Sequence, residues 1–198
     1  TNTVSIKFKV NDAMKTVSAN IIVAAEGIRS KVRQQVVGST ITPLEYLGCI
    51  VTLGICFYKD LDDLSSELLD SETVFQTANG FERMYMMPFN TEAIMWQFSF
   101  PLAEEKAITL SKKGSEALKK EACLRAQWHS PIPDILQATS QNKVTGYPVY
   151  DRALLQSEWL QKENNATLIG DAAHPMSPFK GQGANQAILD AVDLAKRI

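Results

Sequence analysis

Histidine is nearly absent from this chain: His129 and His174 are the only two in 198 residues. With three cysteines at unrelated positions, Cys49, Cys56 and Cys123, no ligand set stands at the spacing of a structural zinc site, so no metal is expected. The odd cysteine count, in apolar or helical contexts, argues against a disulfide framework and reads as reduced core thiols of a cytoplasmic protein. No apolar run approaches the roughly 18 residues of a membrane span, and no signal peptide opens the chain. A net charge of −2 gives no basic surface for nucleic acid or an anionic membrane. Repeats and low-complexity tracts are lacking too. What is present is an ordinary globular composition, 45% hydrophobic and 21% charged.

Read from the start, Val4–Val10 alternates apolar and polar and predicts a half-buried strand. Asn11-Asp12 then marks a turn, with 15–19 as the hairpin partner. The apolar run Asn20–Ala25 predicts a buried strand, followed by a short helix from Ser30 through Val36. Tyr46–Tyr58, 73–77, 81–88 and 93–100 are further strands, with Gly48 and Gly54 as points of bulge or close approach. Asn79-Gly80 predicts a tight hairpin. Leu61–Leu69 reads as a loop or short helix. Ser115–Gln127 and Asp134–Thr139 are helices, and Val144–Tyr150, interrupted by Pro148, is a strand at a sheet edge. Strands, then helices, then a strand predict an antiparallel sheet with helices on one side.

The most informative stretch runs from Leu168 to Ala187. A short strand over 166–169 stops at Gly170-Asp171, and Pro175 and Pro178 forbid regular helix in the loop that follows. Gly181 and Gly183 let backbone approach a ligand, and from Ala184 onward apolar residues recur at helical spacing. Strand, Pro/Gly loop and helix N-terminus make a place for an anionic or electron-rich ligand, since the first helical turn leaves N–H groups unpaired. Asp171 supplies a carboxylate suited to sugar or ribitol hydroxyls.

Gly170-Asp171-Ala172-Ala173-His174-Pro175, with Pro178, Gly181-Gln182-Gly183 and Asn185, resembles the second flavin motif of the FAD-dependent aromatic hydroxylases, the single-component flavoprotein monooxygenases. Ala24 to Arg33 resembles a second family segment, Gly-Ala-Asp-Gly-x-x-Ser-x-Val-Arg, with Ala24 in place of its Gly and Glu26 in place of its Asp. The resemblance implies an α/β (α+β) fold: a partial FAD-binding domain, 1–43 and 151–198, wrapped around an antiparallel substrate domain, 44–150. It implies FAD as cofactor and NADH or NADPH as reductant. The implied reaction is hydroxylation of an aromatic or polycyclic molecule by O2 through a flavin hydroperoxide.

Residue by residue, the resemblance gives Gly170 and Asp171 to the flavin ribityl chain. It gives Gly181, Gln182, Gly183, Ala184 and Asn185 to the pyrimidine side of the ring, through backbone N–H groups. Glu26, Gly27 and Arg33 fall in the segment that meets FAD and NAD(P)H, with Arg29 and Arg33 as phosphate partners. Pro178 either borders flavin and substrate or serves only as a rigid loop element. No catalytic residue stands out, and His174 reads as structural. Tyr150-Asp151-Arg152 suggests an ion pair. The family's N-terminal Gly-x-Gly-x-x-Gly unit, which holds the ADP half of FAD, is missing from these residues. Accordingly the chain reads as a piece of a longer protein, inactive alone. Two other readings stay open: a non-catalytic remnant that binds a small molecule or partner, and a flavin reductase or dehydrogenase.

Overall fold

The computed structural model describes residues 3–61, 66–160 and 165–198. The chain divides into two compact units, Thr1–Glu45 with Tyr150–Ile198, and Tyr46–Val149.

In the first unit β1 (Val4–Val10) and β2 (Ala13–Ala19) form an antiparallel hairpin. Asn11 and Asp12, at φ 47° and 63°, supply the left-handed pair that a two-residue hairpin turn requires. The strand is not half-buried as its alternation predicts: Ile6, Phe8 and Val10 are all exposed. Strand β3 (Ile22–Ala24) pairs in parallel with β9 (Ala166–Leu168), Ala24 beside Leu168, so the two strands are joined across most of the chain's length. Helix α1 (Lys31–Val36) starts where Ser30 Oγ accepts the Arg33 N–H at 2.9 Å, the N-cap expected from sequence. The unit closes with α5 (Gly183–Arg197). A small core of Ala24, Val37 and Leu168, with Val36, Trp159 and Leu160 against it, joins β3, β9 and α1.

The second unit is built on a five-stranded sheet in the order β5 (Phe75–Ala78), β6 (Arg83–Asn90), β7 (Ala93–Pro101), β4 (Glu45–Phe57), β8 (Val144–Asp151). The pairs β5/β6, β6/β7 and β7/β4 are antiparallel. Pro148 lies on the edge strand β8, where a missing N–H does least harm. Ile50, Cys56, Met84, Met86, Trp96, Phe98 and Phe100 are buried with Ala107, Leu118, Ala122, Ile132, Ile135 and Leu136 of three helices. These are α2 (Glu104–Lys112), α3 (Ser115–Arg125) and α4 (Ile132–Ala138). The opposite face carries the intervening residues Leu53, Ile55, Tyr85, Met87, Met95 and Gln97, all half-buried. Gly54 is a point of close approach: a Cβ there would stand 2.4 Å from the Trp96 indole. The indole N–H in turn donates to Thr139 Oγ1 at 2.9 Å, fixing the end of α4 to the sheet.

Several boundaries differ from expectation. The β5–β6 connection is wider than a two-residue hairpin, because Asn79 Oδ1 accepts the N–H groups of both Phe81 and Glu82. Helix α2 was not expected. Helix α3 ends at Arg125, two residues early, and α4 begins at Ile132 rather than Asp134. Within 61–69, Glu67–Leu69 is a 3₁₀ turn and 62–65 lie outside the described residues. Cys49, Cys56 and Cys123 are free thiols, each with its pKa pushed up by burial. Among the described residues no helix is long and apolar enough to cross a membrane, and no metal-ligating cluster occurs.

Candidate flavin site

The parallel pairing of β3 with β9 brings the two motif segments together, because both chains leave their strands at the same end. Ile169 N–H donates to Ala24 O at 3.0 Å, so Ala25–Gly27 and Gly170-Asp171 emerge side by side. Ligands of parallel α/β sheets bind beyond the carboxyl ends of strands, and a cleft of about 620 Å³ lies there. Gly27, Gly170, Asp171, Pro178, Gly181, Gly183 and Ala184, all named from the motifs, line it. Ala25, Ile169, Met176, Ser177 and Ala187 line it too. Of these five only Ser177 carries a polar side chain, whose Oγ accepts the Phe179 N–H, and the one signal for Ala187 is its place four residues after Gly183 on α5.

The lining suits a flat, polar-edged ligand. Gly27 and Gly181 sit at φ 83° and 63° with open space where a Cβ would be, so backbone rather than side chain faces the cleft. The N-cap of α5, Gln182, provides no side-chain cap and no acid occupies the first turn, so N–H groups of Gly183 and Ala184 remain for a ligand. Asp171 is exposed, and its carboxylate bonds to none of the described residues. Its Oδ1 lies 3.8 Å from the position of a Cβ on Gly183, which puts it at the positive end of the α5 dipole. Two acceptor oxygens and a set of unfilled amides thus converge on one cleft. This donor and acceptor set fits the ribityl hydroxyls and the polar ring edge of a flavin.

Gln182, Asn185, Glu26, Arg29 and Arg33 lie away from the lining. Gln182 Oε1 accepts from Asn185 Nδ2 at 3.3 Å, so these two side chains engage each other. Glu26 does not reach the cleft; its Oε1 accepts the Val32 N–H at 3.0 Å and caps α1. Arg33 points into the protein. Its side chain is buried, with Nη1 donating to Ala172 O and Ala173 O at 2.7 and 2.6 Å and Nη2 to Thr42 Oγ1 at 2.6 Å. It braces the Gly170–Ala173 turn from behind. Arg29 packs over the Tyr150 ring at 5.1 Å. Arg152 forms no ion pair with Asp151; its guanidinium donates to Ile28 O and Thr42 O, and Asp151 accepts the Arg152 backbone N–H. His174 is structural, bonded to Asp190.

Glu26 gives a pH test. Burial raises its pKa, but the N–H groups of Val32 and Lys31, its own N–H and the Ser30 hydroxyl outweigh that and hold it below its ordinary 4.5. A depressed folded-state pKa stabilises the fold above the unfolded value and loses that effect as pH falls through the folded one. Glu26→Ala should therefore lower the melting temperature by a constant amount from pH 8 to about 6, the gap closing below roughly pH 4.5. Thermal melts across that range check it; a gap undiminished at about pH 3 would contradict the cap.

Residues 1–198 match the family described as "FAD binding domain". Aurachin C monooxygenase/isomerase of Stigmatella aurantiaca is 31% identical over 177 residues, covering 89% of this chain and 42% of that protein. The structure of 2,6-dihydroxypyridine-3-hydroxylase from Arthrobacter nicotinovorans superposes with TM-score 0.76 at 17% identity, over 97% of this chain and 52% of that one. Klebsiella pneumoniae HpxO, solved with FAD and uric acid, superposes with TM-score 0.66 at 22% identity, over 95% and 44%. The chain thus spans about half the length, or less, of these proteins. By the match along its whole length and by the cleft its two motifs build, this chain belongs to the FAD-dependent aromatic hydroxylase family, whose cofactor is FAD.

Proposed function

We propose that this protein is an FAD-dependent monooxygenase that uses NADH or NADPH and O2 to hydroxylate an aromatic or polycyclic small molecule. The observation that carries the reading is the cleft where the free Asp171 carboxylate, the glycine-lined turns and the uncapped α5 N-terminus converge. Bound FAD supplies the redox and oxygen-activating chemistry. Asp171 accepts hydrogen bonds from ribityl hydroxyls, and the Gly183 and Ala184 amides stabilise negative charge on the polar edge of the ring. Pro178 and Met176 wall that edge and limit water. In this assignment 1–43 and 151–198 belong to the FAD-binding part, and 44–150, the sheet and its helices, to the substrate part. The names of similar proteins point to heteroaromatic substrates, as with dihydroxypyridine and uric acid.

The test uses the intact protein. Flavin absorbance is measured first, then anaerobic reduction by NADH and by NADPH, with and without a panel of hydroxylated heteroaromatics. Oxygen uptake and a product heavier by one oxygen atom are expected with at least one. Reduction without oxygen insertion across the panel would favour the reductase or dehydrogenase reading, and absence of bound flavin the non-catalytic remnant.

A further inference from the structure

Helix α5 reaches the cleft with its first turn, yet it also touches the Gly170–Ala172 turn farther along the same face. Gly183, Ala187, Asp190 and Leu194 share that face by spacing, and they are its half-buried residues. A Cβ on Gly170 would stand 3.1 Å from Ala187 Cβ, so turn and helix are in close contact. One turn on, Asp190 Oδ2 accepts the Gly170 N–H at 2.7 Å and the His174 Nε2 at 2.5 Å. The turn closes on itself between these points, with Ala173 and His174 N–H groups both on Gly170 O at 2.9 Å. An ionised carboxylate only accepts, so His174 donates from Nε2.

We propose that Asp190 is a positioning residue for the flavin site. One carboxylate oxygen grips both ends of the turn that presents Asp171, and its own helix presents the Gly183 and Ala184 amides. The ribityl-facing carboxylate and the ring-facing amides are thereby held at a fixed separation by a side chain outside the cleft lining. Packing of Ala187 on Gly170 sets how near the turn lies; Asp190 sets its rotation. Because the accepting atom does this, an amide oxygen at the same place should serve. This assignment rests on the flavin reading above.

The test is FAD affinity of the intact protein, by fluorescence titration of the flavin-free form, beside its melting temperature and the visible circular dichroism of the bound flavin. Asp190→Leu should weaken FAD binding about tenfold or more, as expected when a buried donor loses its partner, and change the flavin dichroism at saturation. Asp190→Asn should stay within about threefold of wild type and keep the native dichroism, since its Oδ1 accepts both donors. Asp193→Leu, on the exposed side of α5, is the control and should leave FAD binding unchanged. Asp190→Ser, too short to reach the turn, replaces the leucine variant if that fails to fold. Equal losses in the asparagine and leucine variants, or no loss in either, would overturn the assignment. Wild-type protein that binds no flavin would overturn the functional reading itself, and this assignment with it.

Discussion

Replacing Arg33 by methionine is expected to destabilise the first unit by about 3 kcal/mol, one of the larger effects any single change there should have. Two contributions oppose each other. The guanidinium is buried without a carboxylate partner among the described residues, and burial first, then the nearby Arg152 charge, lowers its pKa, so removing it relieves an unfavourable desolvation. Against that stand three short hydrogen bonds, two of them to the Ala172 and Ala173 carbonyls. Methionine fills much of the space but leaves those carbonyls without donors, at roughly 1–3 kcal/mol for each buried group. Because Ala172 is fully buried, water cannot take over, and the loss should win. Lysine should recover only part: one ammonium cannot span from those carbonyls to Thr42 Oγ1 as a planar fork does. Urea unfolding followed by the fluorescence of Trp159, which packs in the core of this unit, measures the change. A midpoint unmoved in Arg33→Met would show that the carbonyls find other donors.

How far such contacts were legible in the sequence depends on their range. Local signals read well: Asn11-Asp12 as a hairpin turn, Ser30 as the start of α1, Pro148 as an edge. Each works through the residue's own backbone angles or its nearest amides. Helix α2 was missed because its buried contribution is small; only Ala107 is fully buried, and Ala103 caps it with no side-chain bond. The two acids in its first turn, Glu104 and Glu105, were the available sign. The antiparallel sheet with helices followed from element order, but the exposure of Ile6, Phe8 and Val10 did not, since alternation states which residues share a face and not whether anything covers it.

In the candidate site, most of the motif residues share one cleft because they are nearly contiguous and belong to one strand, loop and helix start. The partners of Arg33 in the fold were not legible, since they lie 139 and 140 positions away. A motif says that an arginine is wanted there; it does not say whether the arginine faces ligand or backbone. Asp190 escaped notice for the reverse reason. An acid at helical spacing after Gly183 and Ala187 stands on the packed face of α5, an anomaly that needs a donor, and the donor turned out to be the turn itself.

Asp171→Ala should produce the complementary result: FAD binding weakened about 100-fold, with the flavin-free protein nearly as stable as wild type. Hydrogen bonds to a charged group contribute roughly 1.5–3 kcal/mol, so losing one or two of them spans about tenfold to beyond a hundredfold in affinity. Stability should hold because the carboxylate bonds to none of the described residues. Only its favourable place at the α5 N-terminus is lost, about 0.3–1 kcal/mol. Asp171→Asn keeps one acceptor and gains a donor, so an intermediate loss of about tenfold is expected. Titrating FAD into both variants, with melts of their flavin-free forms, separates the roles. Arg33 should act on the fold and through it on the flavin, whereas Asp171 should act on the flavin alone. If Asp171→Ala lowered the melting temperature as far as Arg33→Met does while leaving FAD affinity intact, the carboxylate would be a structural group and the cleft would need another anchor.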